Sequence, residues 1–302
     1  MTEKNGEKLK VNQVTTISYE PSAMNNAIPT ASNGSQLLAQ NLKLIDFKHP
    51  ENDFIDFNFQ KTIPHKFSQY GPSISVGDVN GDSLEDFYIA GSATYNGTWF
   101  IQTKDGKFIR KDVAYKIDPK KQEEELGTLL FDADGDGDLD LYIVHGSGQY
   151  VAGSIFYQDI LCVNDGKGNF KISQNALPKE TSCGQVVKAV DIDGDGDLDL
   201  FIGGRVLPNS YPKTDRSYIL RNDTKEKDKP IFTDVTAEVC PELSTIGLIS
   251  DAIFSDFNGD GKPDLILAGE WMPITFFQNE GGKFKNVTAQ SGIADKTSWW
   301  TS

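Results

Sequence analysis

One acidic pattern occurs four times along the 302 residues of the chain. Its copies read DVNGDSLEDFYIAG from Asp78, DADGDGDLDLYIVHG from Asp132, DIDGDGDLDLFIGG from Asp191 and DFNGDGKPDLILAG from Asp256. The copies begin 54, 59 and 65 residues apart. A repeat of about this length is typical of propeller blades and similar arrays, in which each unit buries one face against the next. The chain is therefore expected to be an array of four similar units.

The segments around each copy also repeat, and they have the pattern of strands. An alternating segment precedes each motif and a mostly apolar segment follows it. A loop, a third strand-like segment and a turn then lead to a fourth, centred on Phe108, Phe170, Phe232 or Phe284. Four short strands with turn signals between them are typical of a four-stranded blade, and no segment has a convincing 3.6-residue apolar period. We predict an all-β protein, a β-propeller with four recognisable four-stranded blades, which could be a fragment of a seven-bladed ring.

The chain outside the repeats differs in character. Residues 1–40 are polar and rich in Asn, Ser and Thr, which predicts a flexible or loosely ordered lead-in. Residues 41–302 are predicted to form the propeller, and the strand-like alternation of 41–72 could add a strand to a neighbouring blade. The last residues, GIADKTSWWTS, stop where a fifth blade would begin. This abrupt stop predicts that the chain is a fragment of a longer protein.

The motif fits the pattern D-x-[D/N]-x-D-G-x-x-D, apart from Ser83 at the sixth position of the first copy. Carboxylate and amide oxygens at positions 1, 3 and 5 of a tight loop converge on one point. A backbone carbonyl at position 7 and a carboxylate at position 9 can complete the shell. Oxygen ligands in a flexible cage suit Ca²⁺, whereas Mg²⁺ needs a tighter octahedron and zinc prefers His or Cys. The loops are predicted to bind up to four calcium ions.

The helical EF-hand shares the first half of this pattern and has to be excluded. It needs a bidentate Glu at position 12. Those positions hold Ile89, Ile143, Ile202 and Leu267, each inside the apolar segment that follows the motif. The loops are therefore predicted to connect two strands, with the position-9 carboxylate in place of the missing Glu.

The predicted ligands are the side chains at positions 1, 3, 5 and 9 and the backbone carbonyl at position 7 of each copy. They are, site by site, Asp78, Asn80, Asp82, Leu84 and Asp86; Asp132, Asp134, Asp136, Asp138 and Asp140; Asp191, Asp193, Asp195, Asp197 and Asp199; and Asp256, Asn258, Asp260, Lys262 and Asp264.

The four sites are expected to differ in strength. If position 6 must be left-handed, a serine there costs on the order of 1 kcal/mol relative to glycine, so the first site should be the weakest. The second and third sites carry the most carboxylates and should be the strongest. The alternative is that the motifs are plain turns, which Asp, Asn and Gly favour. Four copies at the same place in four repeats argue against that alternative.

The four motifs resemble the FG-GAP/VCBS repeats of integrin-α-type β-propellers. The segments TIPHKFSQYGP, GGRVLPNSYP and GEWMPITFFQNEGGKF and the terminal WW resemble large bacterial envelope proteins akin to the cartilage-acidic-protein group. The resemblance covers about residues 42–302 and implies calcium in the loop between the first two strands of each blade. It also implies an extracytoplasmic location and further blades after the terminal WW.

Composition excludes several classes of function. A net charge of −15 argues against nucleic acid as a partner, because phosphate binding needs clustered Lys and Arg. No run approaches the roughly 18 apolar residues of a membrane span, and the first residues lack the apolar core of a signal peptide. The cysteines Cys162, Cys183 and Cys240 lack metal-type spacing and are expected to be buried or incidental, with a Cys162–Cys183 bridge as an alternative.

No catalytic pattern is apparent. His49, His65 and His145 lie outside any nucleophile or metalloprotease motif, and ordinary structural roles are expected for them. The loops after each second strand should cluster on one face, where a rigid scaffold commonly presents binding residues. The candidate ligand contacts there are aromatic and guanidinium side chains, the types enriched at binding hot spots: Tyr95, Tyr150, Arg205, Tyr211 and Trp271. The alternative is that Trp271 only covers the blade below it and Arg205 only pairs with an acid.

Taken together, these patterns predict a non-enzymatic, calcium-stabilised, extracytoplasmic module that binds a protein or a glycan. One rival is a polysaccharide lyase-like enzyme, which would need basic residues such as Arg205 and Arg216 to converge with His145. Another is a structural spacer without a ligand.

Overall fold

The computed structural model describes residues 45–113 and 121–301, so the lead-in predicted for residues 1–40 lies outside the described residues. The described chain is all-β and contains four antiparallel sheets, each with four strands that pair in chain order, and the last sheet has a short additional strand. The predicted β-propeller of four-stranded blades is therefore confirmed.

Each blade is formed by one repeat. Blade one contains β1 (Ile74–Gly77), β2 (Asp86–Ile89), β3 (Thr98–Gln102) and β4 (Phe108–Asp112). Blade two contains β5 (Glu124–Phe131), β6 (Asp140–Gly146), β7 (Ile160–Asn164) and β8 (Phe170–Ile172). Blade three contains β9 (Gly184–Val190), β10 (Asp199–Gly204), β11 (Tyr218–Asn222) and β12 (Phe232–Asp234). Blade four contains β13 (Leu248–Ser255), β14 (Asp264–Met272), β15 (Thr275–Asn279) and β16 (Phe284–Asn286).

Helix is minor, as predicted. Among the described residues there is one short α-helix, α1 (Thr236–Val239). Four 3₁₀ turns accompany it, at Asp56–Asn58, Ile155–Tyr157, Pro241–Thr245 and Thr288–Gln290. All of these elements lie in connections outside the four sheets.

In blades two and three the second strand is the most buried strand. All seven residues of β6 and all six of β10 are buried, whereas β1 alternates between exposed and buried positions. A strand covered on both faces has a continuous apolar run, which explains the sequences LYIV and LFIG after the acidic motifs. Three apolar clusters fill the spaces between consecutive blades and contain, among others, Trp99, Tyr142 and Phe277.

Glycines let neighbouring blades approach closely. A Cβ added at Gly203 in β10 would lie 2.6 Å from Val186 Cγ1 and 2.8 Å from Ile249 Cγ2. Ile249 belongs to β13 of the next blade, so a side chain at this position would separate blades three and four. The first strands β5, β9 and β13 follow one another in contact, which places them on the inner side of the array.

The segment before blade one was expected to offer a strand, and this expectation is wrong for its described part, residues 45–72. Its chain is fixed instead by buried Asp56, whose carboxylate accepts the N–H groups of Phe67 and Ser68 at 2.9 and 3.0 Å and the Ser68 hydroxyl at 2.5 Å. Ile63 and Phe67 pack against Val206 and Leu248 of blades three and four. Its apolar residues are used to cover the ends of two blades.

Cys162, Cys183 and Cys240 are buried free thiols, so the alternative of a Cys162–Cys183 bridge is wrong.

A short strand, β17 (Ser298–Trp299), pairs with the end of β14. It brings the terminal tryptophans to blade four.

Candidate metal loops and binding face

The four acidic motifs form equivalent loops, each joining the first and second strands of a blade. We call residues 78–86, 132–140, 191–199 and 256–264 metal loops one to four. Position 6 of every loop is left-handed, with φ of +98° at Gly137, +100° at Gly196 and +84° at Gly261. Ser83 adopts the same conformation at +66°. The expected strain at Ser83 in loop one is therefore present.

The first carboxylate of each loop organises the turn. In loop four, Asp256 Oδ1 accepts the N–H of Gly259 at 2.7 Å, and Oδ2 accepts the N–H of Gly261 at 2.8 Å. These backbone donors, Gly261 first, lower the pKa of Asp256. The position-1 aspartates of the other three loops accept backbone N–H groups of their own loops in the same way.

The ninth carboxylate of each loop is buried and ties the loop to the sheet. Asp140 is 1% exposed, and its oxygens accept the N–H groups of Asn164 at 2.8 Å and Ala133 at 3.1 Å. Burial raises the pKa of Asp140 to about 7 and that of Asp199 to about 6. A carboxylate in such a place needs a positive partner to remain charged.

Loops two and three gather three carboxylates each. Ligand oxygens of Asp132, Asp134 and Asp136 lie within 4.8 Å of one another, and so do those of Asp191, Asp193 and Asp199. One oxygen of Asp134 is buried and has no hydrogen-bond partner in the described part of the chain. These residues fit a hard cation, because an unpaired buried carboxylate oxygen next to two other carboxylates is otherwise costly. The two clusters could bind a metal ion, and they belong to the loops with the highest predicted charge.

The loops that follow the second strands lie at the opposite end of each sheet, because antiparallel strands alternate in direction. Arg205, directly after β10, and Glu270, in β14, form an ion pair there and are 3% and 1% exposed. Arg205 also donates to Tyr70 Oη at 2.8 Å and to the carbonyl of Ile249 at 3.2 Å. Arg205, which was predicted to contact a ligand, is thus buried beneath the surface and holds the residues around it in place.

Trp271 stands above this ion pair and is 59% exposed. Its backbone is left-handed, with φ of +59°, and its Nε1–H donates to Tyr211 Oη at 2.6 Å. The ring stacks on Trp299 with centroids 5.6 Å apart and an angle of 25° between the planes. A bulky residue in this conformation is an outlier, and such strain is found preferentially at functional sites. We call Trp271, Trp299, Tyr211 and His65 the aromatic platform.

His65 and Trp299 belong to the platform although neither was among the candidate binding residues. His65 Nε2 lies 3.2 Å from Glu270 Oε1 and 3.1 Å from Tyr70 Oη, and its ring lies 5.4 Å from that of Trp299. His65 is 205 residues from Glu270 in the chain. His65 lies in the segment TIPHK, but nothing in that segment indicates which blade it contacts.

The remaining candidates lie away from the platform. Tyr150 Oη donates to Gln122 Oε1 at 2.6 Å, and the Tyr150 carbonyl accepts Asn209 Nδ2 at 3.5 Å, which links its loop to the one that carries Tyr211. Tyr95 is exposed, and its carbonyl accepts Lys121 Nζ at 2.9 Å. Of the five predicted candidates, Tyr211 and Trp271 therefore belong to the platform, and Arg205 lies buried beneath them.

The basic residues required by a lyase-like site have separate partners. Arg216 pairs with Glu180 and Asp234, both at 2.6 Å, and buried His145 Nδ1 lies 2.6 Å from the carbonyl of Gln158. Arg205 pairs with Glu270. Each of these three residues is thus held by a partner other than the remaining two.

Acidic side chains are buried at the start of β5, also at the end opposite the metal loops. Glu125 pairs with Lys121 at 2.6 Å and accepts the Tyr88 hydroxyl at 2.7 Å. Glu124 accepts the N–H of Ala93 at 2.6 Å, and its other oxygen has no partner among the described residues. Burial and the neighbouring Glu51 raise the pKa of Glu124 to about 8. Glu124 is therefore mostly a neutral acid at pH 7.

Three regions of the chain, residues 78–143, 132–202 and 256–302, match the FG-GAP-like repeat family, and together they cover more than half of the chain. Each matched region begins at the first aspartate of a metal loop. None of the described helices is long and apolar enough to cross a membrane.

Among curated proteins, the chain is 25% identical over 223 residues to cartilage acidic protein 1 of Mus musculus, covering 72% of this chain and 32% of the relative. It is 24% identical over 217 residues to cartilage acidic protein 1 of Homo sapiens, covering 70% and 30%. The chain thus spans about a third of the length of these relatives.

Two solved structures show partial similarity. One is an Agrocybe aegerita lectin that recognises non-reducing terminal N-acetylglucosamine, with a TM-score of 0.46, 17% identity and coverage of 72% of this chain and 52% of the lectin. The other is the exotype rhamnogalacturonan lyase YesX, with a TM-score of 0.42, 14% identity and coverage of 72% and 40%.

Proposed function

Since the chain belongs to the FG-GAP-like repeat family, we propose that it is a calcium-stabilised, extracytoplasmic binding module without enzymatic activity. Its metal loops stabilise the blades at one end, and its aromatic platform binds a glycan at the other. The observation that carries this proposal is Trp271, an exposed ring held in a left-handed backbone between Tyr211 and Trp299.

Calcium would be held in each loop by the side chains at positions 1, 3, 5 and 9 and the carbonyl at position 7. In loop two these are Asp132, Asp134, Asp136, Asp140 and the carbonyl of Asp138. The ion would supply the positive charge that crowded carboxylates need when they are partly buried. Loops two and three are the strongest candidates, because their carboxylate oxygens are already gathered, and loop one should be the weakest.

An extracytoplasmic location agrees with this kind of site. Calcium modules that work outside the cytosol bind the ion with Kd values of about 10⁻⁴–10⁻³ M, and the free ion is abundant there. A loop with exposed ligands, such as Asp193 and Asp195 in loop three, suits that range. The location is testable by cell fractionation.

The platform has the features of a carbohydrate site. Stacked indole rings offer flat apolar surface for the C–H face of a sugar ring, and indole and phenol groups add polar edges. His65 and the Tyr211 hydroxyl lie at those edges, next to Glu270. The buried Arg205–Glu270 pair fixes the groups below, so that the platform is organised before a ligand arrives. Preorganisation of this kind lowers the entropic cost of binding.

The absence of enzymatic activity is proposed because the polar groups that a lyase would need are paired elsewhere. Arg216 is engaged by two carboxylates and His145 by a backbone carbonyl. A depolymerisation assay on acidic polysaccharides, followed by absorbance of unsaturated products, should show no turnover. Turnover that is lost in Arg205→Ala or His145→Ala would overturn this part of the proposal.

The binding role is tested with a glycan array probed in calcium, followed by calorimetry with the best glycan. We expect Trp271→Ala to weaken binding at least tenfold, which corresponds to about 1.4 kcal/mol. The matched control is Ile109→Ala, which truncates an apolar side chain that is 58% exposed on blade one, and it should bind normally. Binding of a protein but no glycan, or normal glycan binding by Trp271→Ala, would contradict the proposed ligand class.

A further inference from the structure

Three buried asparagines connect successive metal loops. They are the last residues of the third strands, Asn164 in β7, Asn222 in β11 and Asn279 in β15. Their exposed fractions are 2%, 5% and 0%. Because buried amides must satisfy their donors and acceptors, the bonds these side chains make show what they hold together.

Each asparagine first binds the metal loop of its own blade. The backbone N–H of Asn222 donates to Asp199 Oδ1, the position-9 carboxylate of loop three, at 2.8 Å. Asn164 and Asn279 make the same bond to Asp140 and Asp264, also at 2.8 Å. The side-chain amide also reaches the carbonyl before that carboxylate, at 3.1 to 3.3 Å in the three blades.

The same amide group then reaches the metal loop of the preceding blade. Asn164 Nδ2 donates to the carbonyl of Val79 at 2.8 Å, Asn222 Nδ2 to that of Ala133 at 3.0 Å, and Asn279 Nδ2 to that of Ile192 at 2.8 Å. These acceptors lie at position 2 of loops one, two and three, between the ligands at positions 1 and 3. The bonds span 85, 89 and 87 residues.

The position-2 residue completes the connection. Its N–H donates to the position-9 carboxylate of its own loop, as in Ala133 to Asp140 Oδ2 at 3.1 Å and Ile192 to Asp199 Oδ2 at 3.0 Å. One asparagine therefore links the peptide between two ligands of one loop to a ligand of the next loop. A series of such links runs from loop one to loop four.

We propose that Asn164, Asn222 and Asn279 couple neighbouring metal loops, so that calcium bound in one loop raises the affinity of the next. The inference rests on the proposed calcium binding of the loops. An ion that orders positions 1 to 3 of a loop fixes the carbonyl that holds the asparagine, and the asparagine fixes the next position-9 carboxylate. The coupling is reciprocal and should amount to about 5- to 150-fold, the usual range for linked sites.

The end of the series provides a structural contrast. Val79, Ala133 and Ile192 are at most 5% exposed, whereas Phe257, the position-2 residue of loop four, is 40% exposed. In blade one, the residue equivalent to the asparagines is Gln102, whose N–H donates to Asp86 Oδ1 at 2.8 Å. Gln102 carries its amide on a side chain one methylene longer than that of asparagine. It therefore offers a control for truncation at the same strand position.

The test compares two pairs of loops by calorimetric calcium titration of the full chain. Asp82→Ala with Asp260→Ala leaves loops two and three, which Asn222 joins directly. Asp136→Ala with Asp260→Ala leaves loops one and three, which no single asparagine joins. We expect a Hill coefficient clearly above 1 for the first pair and close to 1 for the second, and Asn222→Ala should lower the first value to 1. Gln102→Ala should leave it unchanged.

A Hill coefficient of 1 for loops two and three with Asn222 in place would overturn the coupling while calcium binding itself stands. Equal cooperativity in the two pairs, or cooperativity that persists in Asn222→Ala, would also overturn it. If the unmodified chain binds no calcium, both the proposed metal sites and their coupling fail. The comparison of the two pairs needs no change at Asn222, so it remains decisive if Asn222→Ala does not fold.

Discussion

The two ends of the blades are built in different ways. At the metal end, four loops of the same length place the same residue types at the same positions, and an aspartate at position 1 organises each turn. At the opposite end, every loop differs: one carries Tyr95, another Tyr150, a third Arg205 and Tyr211, and the fourth Trp271. The repeated metal loops have the same structural role in all four blades, whereas the different loops at the opposite end allow one specific binding site to form.

The two ends also differ in how their charged side chains are paired. The metal end collects carboxylates, and those of the cluster of Asp132, Asp134 and Asp136 have no ion pair with a cationic side chain among the described residues. The opposite end pairs its buried charges within the protein, as in Arg205–Glu270 and Lys121–Glu125. We therefore expect the stability of the metal end to depend on added calcium and that of the opposite end to be independent of it.

The largest effect is expected at the opposite end, from Glu270→Ala. This change leaves the buried guanidinium of Arg205 without its carboxylate and should cost about 3–5 kcal/mol of unfolding free energy. Urea denaturation should show the same loss with calcium and with chelator. The double variant Arg205→Met/Glu270→Leu should recover part of the lost stability. A loss seen only in the calcium-loaded protein would contradict the proposed difference between the two ends.

Loss of calcium from a single loop is expected to give the next largest effect. At free calcium 100-fold above Kd, each occupied site stabilises the fold by about 2.7 kcal/mol. Asp136→Asn keeps an acceptor for the N–H of Asp138 but removes a ligand charge from loop two. It should therefore lower the melting temperature in calcium and leave it nearly unchanged in chelator, as followed by calorimetry. An equal shift in both conditions would show that the loop is a plain turn.

The neutral acid Glu124 predicts a pH effect at the opposite end. Its folded-state pKa of about 8 lies above the unfolded value near 4.5, so its contribution to stability is present below pH 4.5 and is lost as pH rises through 8. Relative to Glu124→Gln, the unmodified chain should become less stable from pH 5 to pH 8, by at least about tenfold in the folding equilibrium. A difference that stays constant with pH would contradict the raised pKa.

The conformation of Trp271 predicts a smaller effect. Trp271→Gly and Trp271→Ala both remove the platform ring, but only glycine adopts a φ of +59° without strain. The glycine variant should be more stable than the alanine variant by about 1 kcal/mol, and both should lose ligand binding. Equal stability would indicate that the backbone relaxes when the ring is removed.

The smallest effect is expected from Ser83→Gly in loop one. It relieves a left-handed serine and should raise stability by at most about 1 kcal/mol, with a matching gain in the calcium affinity of loop one. Gly137→Ser in loop two should have the opposite sign. Chemical denaturation in calcium, together with titration, measures both changes, and a neutral result at both positions would show that position 6 does not set the strength of the loops.

The sequence was most informative about features that depend on short separations. Nine residues contain a whole metal loop, and four repeats of it predicted the blades, their strand order and the special backbone at Ser83. The prediction for residues 41–72 was wrong over its described part, because strand-like alternation there reflects residues such as Ile63 and Phe67 that cover blades three and four. Alternation shows which residues are apolar, but it does not show what they pack against.

The candidate binding site was predicted only in part, for the same reason. Tyr211 and Trp271 were identified because aromatic residues follow second strands, and Arg205 was identified but lies buried beneath them. His65 and Trp299 were missed, since they come from segments outside the loops of the repeats. The asparagines at the ends of the third strands recur visibly in VND, RND and QNE, but their acceptors lie in another blade.

The sequence by itself determined the repeat, the four-stranded blades and the position of every metal loop, because these follow from spacing and local backbone preference. Only the tertiary structure decided that His65 meets Glu270 across 205 residues and that Asn222 reaches Ala133 across 89. Both contacts depend on how blades and connecting segments pack against one another. Such packing is fixed by the sum of many weak contacts, so no short pattern in the chain records it.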